Sequence, residues 1–178
     1  MTQPESRRQL TLTLPTATDP AIAQWLAAAQ DARARTLQLL DRIDDPALDW
    51  QRDDENTIGT LLYHIAAIET DWLYVEVLTE PFPDDIVALL PWDVRDASGR
   101  LTHVSRRSLS EHLTVLSAIR DRLILGFREM TIEDFLRPRA LPEYDVTPAW
   151  VLHHLMQHEA EHRGQIHLLL TAYTGRNI

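Results

Sequence analysis

The sequence contains no cysteine and no lysine, and these two absences narrow the chemistry open to it. Without cysteine the chain has no disulfide, no thiolate zinc site and no cysteine nucleophile. All 17 basic residues are arginine, so Schiff-base chemistry on a lysine amine is excluded as well. Any metal ion must therefore be bound by histidine, aspartate or glutamate.

Positive charge and long apolar runs are also scarce. The net charge is −10, and the pairs Arg7-Arg8 and Arg106-Arg107 are too small to form the basic surface that phosphate binding needs. No segment approaches the roughly 18 continuous apolar residues of a membrane helix. Residues 1–18 lack the apolar core of a signal peptide. We therefore expect a cytoplasmic protein that binds neither nucleic acid nor membrane.

Glycine is rare, with five in 178 residues, and apolar residues recur at helical spacing, which predicts an all-α fold without a substantial sheet. Four long helices are predicted, each beginning with a capping signal. They run from Asp19 to about Ile43, from near Asn56-Thr57 to no later than Pro81, from Ser108 to about Met130, and from Thr147 to about Thr174-Gly175. Leu37 and Val75 fall on the apolar stripes and are predicted to face the core. Gly164, inside the last helix, indicates close packing by another helix.

The segment between the second and third predicted helices, residues 79–107, is long and contains three prolines. Such a length permits a crossover, so the expected architecture is a four-helix bundle with one long connection. At 178 residues a single domain is expected. The bundle is predicted to occupy residues 19–178, after an N-terminal arm over residues 1–18.

The most informative segment is His158-Glu159-Ala160-Glu161-His162-Arg163-Gly164-Gln165, within the fourth predicted helix. Residues four apart share one helix face, so His158 and His162 can bind one metal ion together. Both histidines lie on the apolar stripe of this helix and are predicted to face inward. Buried imidazoles need a metal ion or hydrogen-bond partners.

A third ligand has to come from another helix. His64 lies midway along the second predicted helix, at the edge of its apolar stripe. In an antiparallel or crossing pair of helices it can reach the depth of His158 and His162, and three neutral imidazoles then leave one coordination position open. Water, a substrate oxygen or the thiolate of a small molecule would fill that position. His154 continues the same spacing and is a candidate fourth ligand or pocket residue.

Other polar residues near these histidines are candidates for supporting roles. Glu159, Glu161 and Glu69 are the nearest acidic residues in the sequence, and any of them could orient an imidazole or act as a base. Arg163 and Gln165 could anchor a pocket, although Arg163 can equally pair with Glu159 along the helix. No catalytic residue is predicted.

The same segment also contains the zinc-protease pattern His-Glu-x-x-His, in which Glu159 would be the general base. The extended metzincin form requires glycine three residues and histidine six residues after the second histidine. This chain has Gln165 and Leu168 at those positions. A peptidase is therefore the minor interpretation.

The segment from His154 to Ile166 resembles the signature of the DinB-like metalloprotein superfamily, and residues 62–66 resemble its upstream histidine segment. The resemblance covers nearly the whole chain after the N-terminal arm. It implies a divalent metal, usually zinc or nickel, at His64, His158 and His162, and often a homodimer. Some relatives, the mycothiol-dependent maleylpyruvate isomerases and the bacillithiol transferases, use the metal to activate a small thiol.

Two functions fit these residues and this resemblance. The first is a metal-dependent thiol S-transferase or hydrolase, in which zinc, or else nickel, activates a small-molecule thiol or water. The second is a non-catalytic binding or structural bundle, in which the ion joins the second and fourth predicted helices. A metal-free bundle with hydrogen-bonded histidines is a third alternative, which stoichiometric metal would exclude.

Overall fold

The computed structural model describes residues 10–41 and 43–175. In this part of the chain the regular secondary structure is helical apart from one pair of two-residue strands and one isolated β-bridge, so the all-α prediction is confirmed. The elements are α1 (Pro20–Leu40), α2 (Asp45–Asp49), α3 (Ile58–Asp71), a π-helix (Trp72–Leu78) that continues α3, α4 (Asp84–Leu89), α5 (Leu109–Arg128), α6 (Ile132–Leu136), β1 (Arg139–Ala140), β2 (Asp145–Val146) and α7 (Pro148–Thr174). None of the described helices is both long and apolar enough to cross a membrane.

Side-chain caps place the beginnings of the four long helices at the predicted residues. Asp19, Thr57, Ser108 and Thr147 each accept a hydrogen bond from a backbone N–H in the first turn of α1, α3, α5 and α7. Ser108 also forms the predicted capping box with Glu111. Because the first N–H groups of a helix have no partner inside it, these caps decide locally where each helix starts.

The four long helices form a ring around one core, as expected for a four-helix bundle. α1 packs against α5 and α7, and α3 packs against the same two helices. Aliphatic and aromatic side chains fill the core, and fully buried examples are Leu26, Leu62, Leu73, Phe127 and Phe135. Removing such side chains from water is the main favourable contribution to folding.

A long connection between the π-helix and α5 carries α4 and a tight hairpin. The hairpin is closed by an antiparallel bridge between Arg95 and Leu101. Tyr63 of α3 holds the connection in place, since its hydroxyl donates to the Trp92 carbonyl and accepts from the Trp92 N–H. These hydrogen bonds attach the predicted long connection to α3, the helix that carries His64.

Two apolar residues predicted to face the core are exposed instead. Leu37 of α1 is 38% exposed, and Val75 is 44% exposed. Val75 lies in the π-helix, whose wider turn rotates side chains away from the positions that α-helical spacing predicts. Leu37 borders a groove between α1 and α5 that the described residues leave open.

The predicted N-terminal arm is described from residue 10 onward, and residues 1–9 lie outside the described residues. Residues 10–18 contain no helix or strand. Residues 11–15 run beside α1 near Ala27 and Ala34, and the Thr18 N–H donates to a carbonyl at the end of α5.

Candidate metal centre

α3 and α7 bring the three predicted histidines together. His64 comes from α3, and His158 and His162 come from one face of α7. The Nε2 atom of His158 lies 3.1 Å from Nε2 of His64 and 3.1 Å from Nε2 of His162. One ligand atom from each residue lies within 4.8 Å of the others, so this group could hold a metal ion.

The separation of the nitrogen atoms fits a small divalent ion. Two nitrogens that are each about 2.0–2.1 Å from a tetrahedral ion lie roughly 3.3 Å from one another. The two observed Nε2 separations of 3.1 Å are close to that value. Three imidazoles would occupy three of four tetrahedral positions and leave the fourth for a ligand.

Hydrogen bonds alone satisfy this cluster poorly. Gln165 Oε1 lies 2.8 Å from Nδ1 of His162 and can only accept, so Nδ1 carries the proton and Nε2 presents a lone pair. Without a metal ion, the one proton that Nε2 of His158 can carry would then have to be donated both to Nε2 of His64 and to Nε2 of His162. A cation among the three nitrogens would instead bind all three lone pairs, so the donor set fits a metal ion.

Burial keeps His64 and His158 in the protonation state that binds metal. Burial, together with nearby histidines, lowers the pKa of His64 to about 4 and that of His158 to about 3. Both rings are therefore neutral at pH 7, the form in which imidazole coordinates a metal. Nδ1 of His64 is buried without a hydrogen-bond partner among the described residues, so its tautomer depends on what its Nε2 contacts.

The histidines border an open cleft with a volume of about 390 Å³. Ile68 and Trp72 follow His64 along the same helix at intervals of four residues and form an apolar wall. The hairpin of the long connection contributes Arg95 and Leu101. A small molecule could therefore lie beside the three nitrogens.

His154 belongs to the wall of this cleft and not to the group of converging nitrogens. Its ring stacks on that of Trp150, with centroids 5.0 Å apart and an interplanar angle of 9°. Its centroid is 4.7 Å from Trp72 and 6.0 Å from His158. Of the two roles considered for His154, the structure favours the pocket residue.

Glu69 and Glu159 bind arginines in the core and do not contact the histidines as bases or orienting groups. Arg33 donates to Glu69 at 2.8 Å and to Glu159 at 2.7 Å, and Arg120 donates to the same two carboxylates at 2.8 and 2.7 Å. All four side chains are buried. A doubly ion-paired Glu159 is unsuited to be the general base of a protease, which removes that interpretation. Glu161 is exposed.

Two expectations about α7 are wrong. Arg163 donates from Nη1 to the Ala32 carbonyl at 3.0 Å instead of pairing with Glu159, whose carboxylate is already bound to two arginines. Gly164 is not a site of close helix packing, since a Cβ added there would meet no described atom within 4 Å beyond the adjoining backbone of its own helix.

Four residues of the cleft were not predicted from the sequence. Ile68 and Trp72 could have been found, because they lie one and two steps of four residues after His64 on one helix face. Arg95 and Leu101 come from the long connection, and no spacing rule relates them to the histidines. Only the tertiary structure brings this hairpin to the cleft.

Comparison with known proteins agrees with the fold and identifies the family. A solved structure described as the conserved protein of locus from Enterococcus faecalis superposes with a TM-score of 0.69, at 13% sequence identity, over 86% of this chain and 96% of that chain. At that identity the similarity shows the fold alone. No curated protein sequence matches the chain significantly. The DinB superfamily is matched over residues 28–166, a stretch that includes all three histidines. This protein therefore belongs to the DinB superfamily.

Proposed function

We propose that this protein binds one divalent metal ion through Nε2 of His64, His158 and His162, and uses it to activate a small-molecule thiol or water for transfer or hydrolysis. The observation that carries the proposal is the convergence of three Nε2 atoms beside an open cleft. A divalent ion bound there supplies Lewis acidity, which lowers the pKa of a water or thiol ligand. Zinc is the proposed ion and nickel the next candidate, because imidazole ligands suit both.

The surrounding residues have separate tasks in this proposal. Gln165 holds the His162 ring by accepting from Nδ1, so that Nε2 faces the cleft. Ile68, Trp72 and Leu101 line the cleft with apolar surface and exclude water from one side of a bound molecule. No residue is assigned the role of a general base.

A metal ion that only stabilises the bundle is the competing function, and two observations weigh against it. The buried ion pairs of Arg33, Glu69, Arg120 and Glu159 already join all four long helices. The histidines border an open cleft, whereas structural metal sites are usually closed by four protein ligands. A metal ion is therefore hardly needed to hold the four long helices together.

Elemental analysis of natively purified, tag-free protein tests the metal site. We expect about one equivalent of zinc or nickel per chain in the wild type, and its loss in His64→Ala and His162→Ala. His103→Ala is the matched control, because His103 is exposed on the long connection and should leave the metal content unchanged. A wild-type chain that binds no metal after reconstitution, or full metal content in both triad variants, would refute the proposal.

Removal of the metal separates catalysis from stabilisation. We expect the chelated protein to keep its helical circular dichroism at neutral pH, because the core and the ion pairs hold the bundle together. The metal-loaded form, and not the chelated form, should turn over substrates in a screen of thiol-transfer and hydrolysis reactions. Loss of the helical signal on chelation, with no turnover in the screen, would favour the structural function.

A further inference from the structure

The charge on the wall of the cleft indicates which class of ligand it can take. Among the described residues that line the cleft, Arg95 is the only arginine and none is acidic. A guanidinium is always protonated and forms paired hydrogen bonds with a carboxylate. Arg95 therefore gives the wall of the cleft a positive charge, although the chain as a whole has a net charge of −10.

Arg95 is held in a defined position by the hairpin that carries it. Its backbone pairs with that of Leu101 across the hairpin, and Nη1 donates to the Gly99 carbonyl at 2.9 Å. The turn is braced by Asp96, whose Oδ1 accepts from the backbone N–H groups of Ser98 and Arg100. The other guanidinium N–H groups of Arg95 have no protein partner in the described part of the chain, so they can bind a ligand.

Apart from Arg95 and His154, the wall of the cleft beside the three histidines is apolar. Ile68 lies on α3 beyond His64, Trp72 begins the π-helix that continues α3, and Leu101 lies opposite Arg95 on the hairpin. Apolar side chains of this kind favour a hydrocarbon or aromatic portion in the ligand. The volume of about 390 Å³ suits a small molecule and not a polymer.

We propose that the cleft binds a small carboxylate-bearing thiol, with the carboxylate on Arg95, a short hydrocarbon portion against Trp72 and the sulfur at the three histidines. This inference rests on the proposed function, because the sulfur needs the metal ion as its partner. In this arrangement one ligand contacts Arg95, the apolar surface of the cleft and the site of the three converging Nε2 atoms.

Cobalt-substituted protein provides the test, because thiol binding changes the visible absorption of Co²⁺ without any need for turnover. The two probes are 3-mercaptopropionate and 3-mercaptopropanol, which have the same chain length and differ in charge. We expect Arg95→Gln to weaken binding of 3-mercaptopropionate by about tenfold, the effect of losing one charge-assisted hydrogen-bonded pair. Binding of 3-mercaptopropanol should stay unchanged, and added salt should reduce the difference between wild type and variant.

Arg100→Gln is the matched control, because Arg100 lies on the same hairpin but its side chain donates to the Asp54 carbonyl. This variant should bind both thiols as the wild type does. Equal losses for both thiols in Arg95→Gln, no loss for either, or no response of the cobalt spectrum to either thiol would overturn the inference. Failure to take up cobalt at all would instead mark the failure of the proposed metal site, and the inference would fall with it.

Discussion

Gln165 is the residue that decides which nitrogen of His162 faces the cleft. Its Oε1 accepts from Nδ1 at 2.8 Å and leaves Nε2 free for a metal ion. We expect Gln165→Leu to weaken zinc binding by roughly 10- to 100-fold, the usual effect of losing the group that orients a ligating histidine. Competition with a chelator of known affinity measures this change.

The control for that experiment is Gln157→Leu, which replaces another exposed glutamine on α7. Zinc affinity in this variant should equal that of the wild type. Similar losses in both variants would mean that Gln165 acts through the helix as a whole and not through His162.

His112 is a buried histidine outside the candidate metal centre, and it links stability to pH. It is 3% exposed, and burial lowers its pKa to about 4. The unfolded chain, with a histidine pKa of about 6.5, binds this proton more readily. The folded state is therefore destabilised as the pH falls from about 6.5 to about 4, by on the order of 3 kcal/mol over the whole window.

We expect His112→Leu to flatten the pH dependence of stability in that window. Denaturant unfolding at pH 7 and at pH 4.5 measures the free energy of unfolding, with chelator present so that bound metal does not contribute. The wild type should lose more stability on acidification than the variant does. Identical losses would mean that other groups control the acid sensitivity.

At the scale of helices, Gly59 in α3 and Gly164 in α7 should respond to alanine in opposite directions. A Cβ at Gly164 would meet no described atom within 4 Å, so Gly164→Ala should raise the free energy of unfolding by up to about 1 kcal/mol through helix propensity. A Cβ at Gly59 would lie 3.3 Å from Leu48 O and 3.4 Å from Val104 O, so Gly59→Ala should be destabilising. Urea unfolding of the metal-loaded proteins compares them. Destabilisation by Gly164→Ala would indicate that α7 packs against something outside this chain.

The change from α-helix to π-helix occurs where α3 borders the cleft. Trp72 is the first residue of the π-helix and also lines the cleft. Short π-helical segments are often found at functional sites. The apolar pattern of the sequence cannot show such a change, because a wider turn shifts which residues face the core without altering their types.

For the whole molecule, the buried ion pairs are the main polar connection among the long helices. α1, α3, α5 and α7 contribute Arg33, Glu69, Arg120 and Glu159, one residue each. We expect Glu159→Gln to lower the free energy of unfolding by about 3 kcal/mol or more, because it leaves a positive charge uncompensated in the core.

Asp31→Asn is the control, because it breaks the exposed pair of Asp31 with Arg35. Exposed pairs contribute roughly 0–1 kcal/mol, so this variant should unfold almost as the wild type does. Chemical denaturation of both variants measures the difference. A loss below about 1 kcal/mol in Glu159→Gln would show that the core tolerates the unpaired arginine.

Association of two chains stays a prediction. Leu37 on α1 and Leu125 on α5 are 38% and 45% exposed, and exposed apolar surface is where subunits usually meet. We expect sedimentation equilibrium to give the mass of a homodimer, and Leu37→Glu with Leu125→Glu to shift it toward that of one chain. A single-chain mass for the wild type would contradict this expectation.

Features that depend on neighbours along the chain could be predicted from the amino-acid sequence. The four capping residues place the starts of the long helices, because each cap binds an N–H within the next turn. The pairing of His158 with His162 follows from the helical repeat, which puts residues four apart on one face. The all-α fold follows from the helical spacing of apolar residues, which recurs along the whole chain.

Contacts between distant parts of the chain depend instead on how the helices and the long connection pack together. The sequence indicates the burial of three charged residues, because they lie on the apolar stripes of their helices: Arg33, Arg120 and Glu69. Nothing in the local sequence indicates that these residues contact one another and Glu159. The approach of His64 to the α7 histidines depends in the same way on how α3 packs against α7. The hairpin that brings Arg95 to the cleft depends on how the long connection folds back. Helical periodicity fixes the helix face on which a side chain lies. The crossing angle of two packed helices, and which residues come level with one another, depend on how all the core side chains pack together.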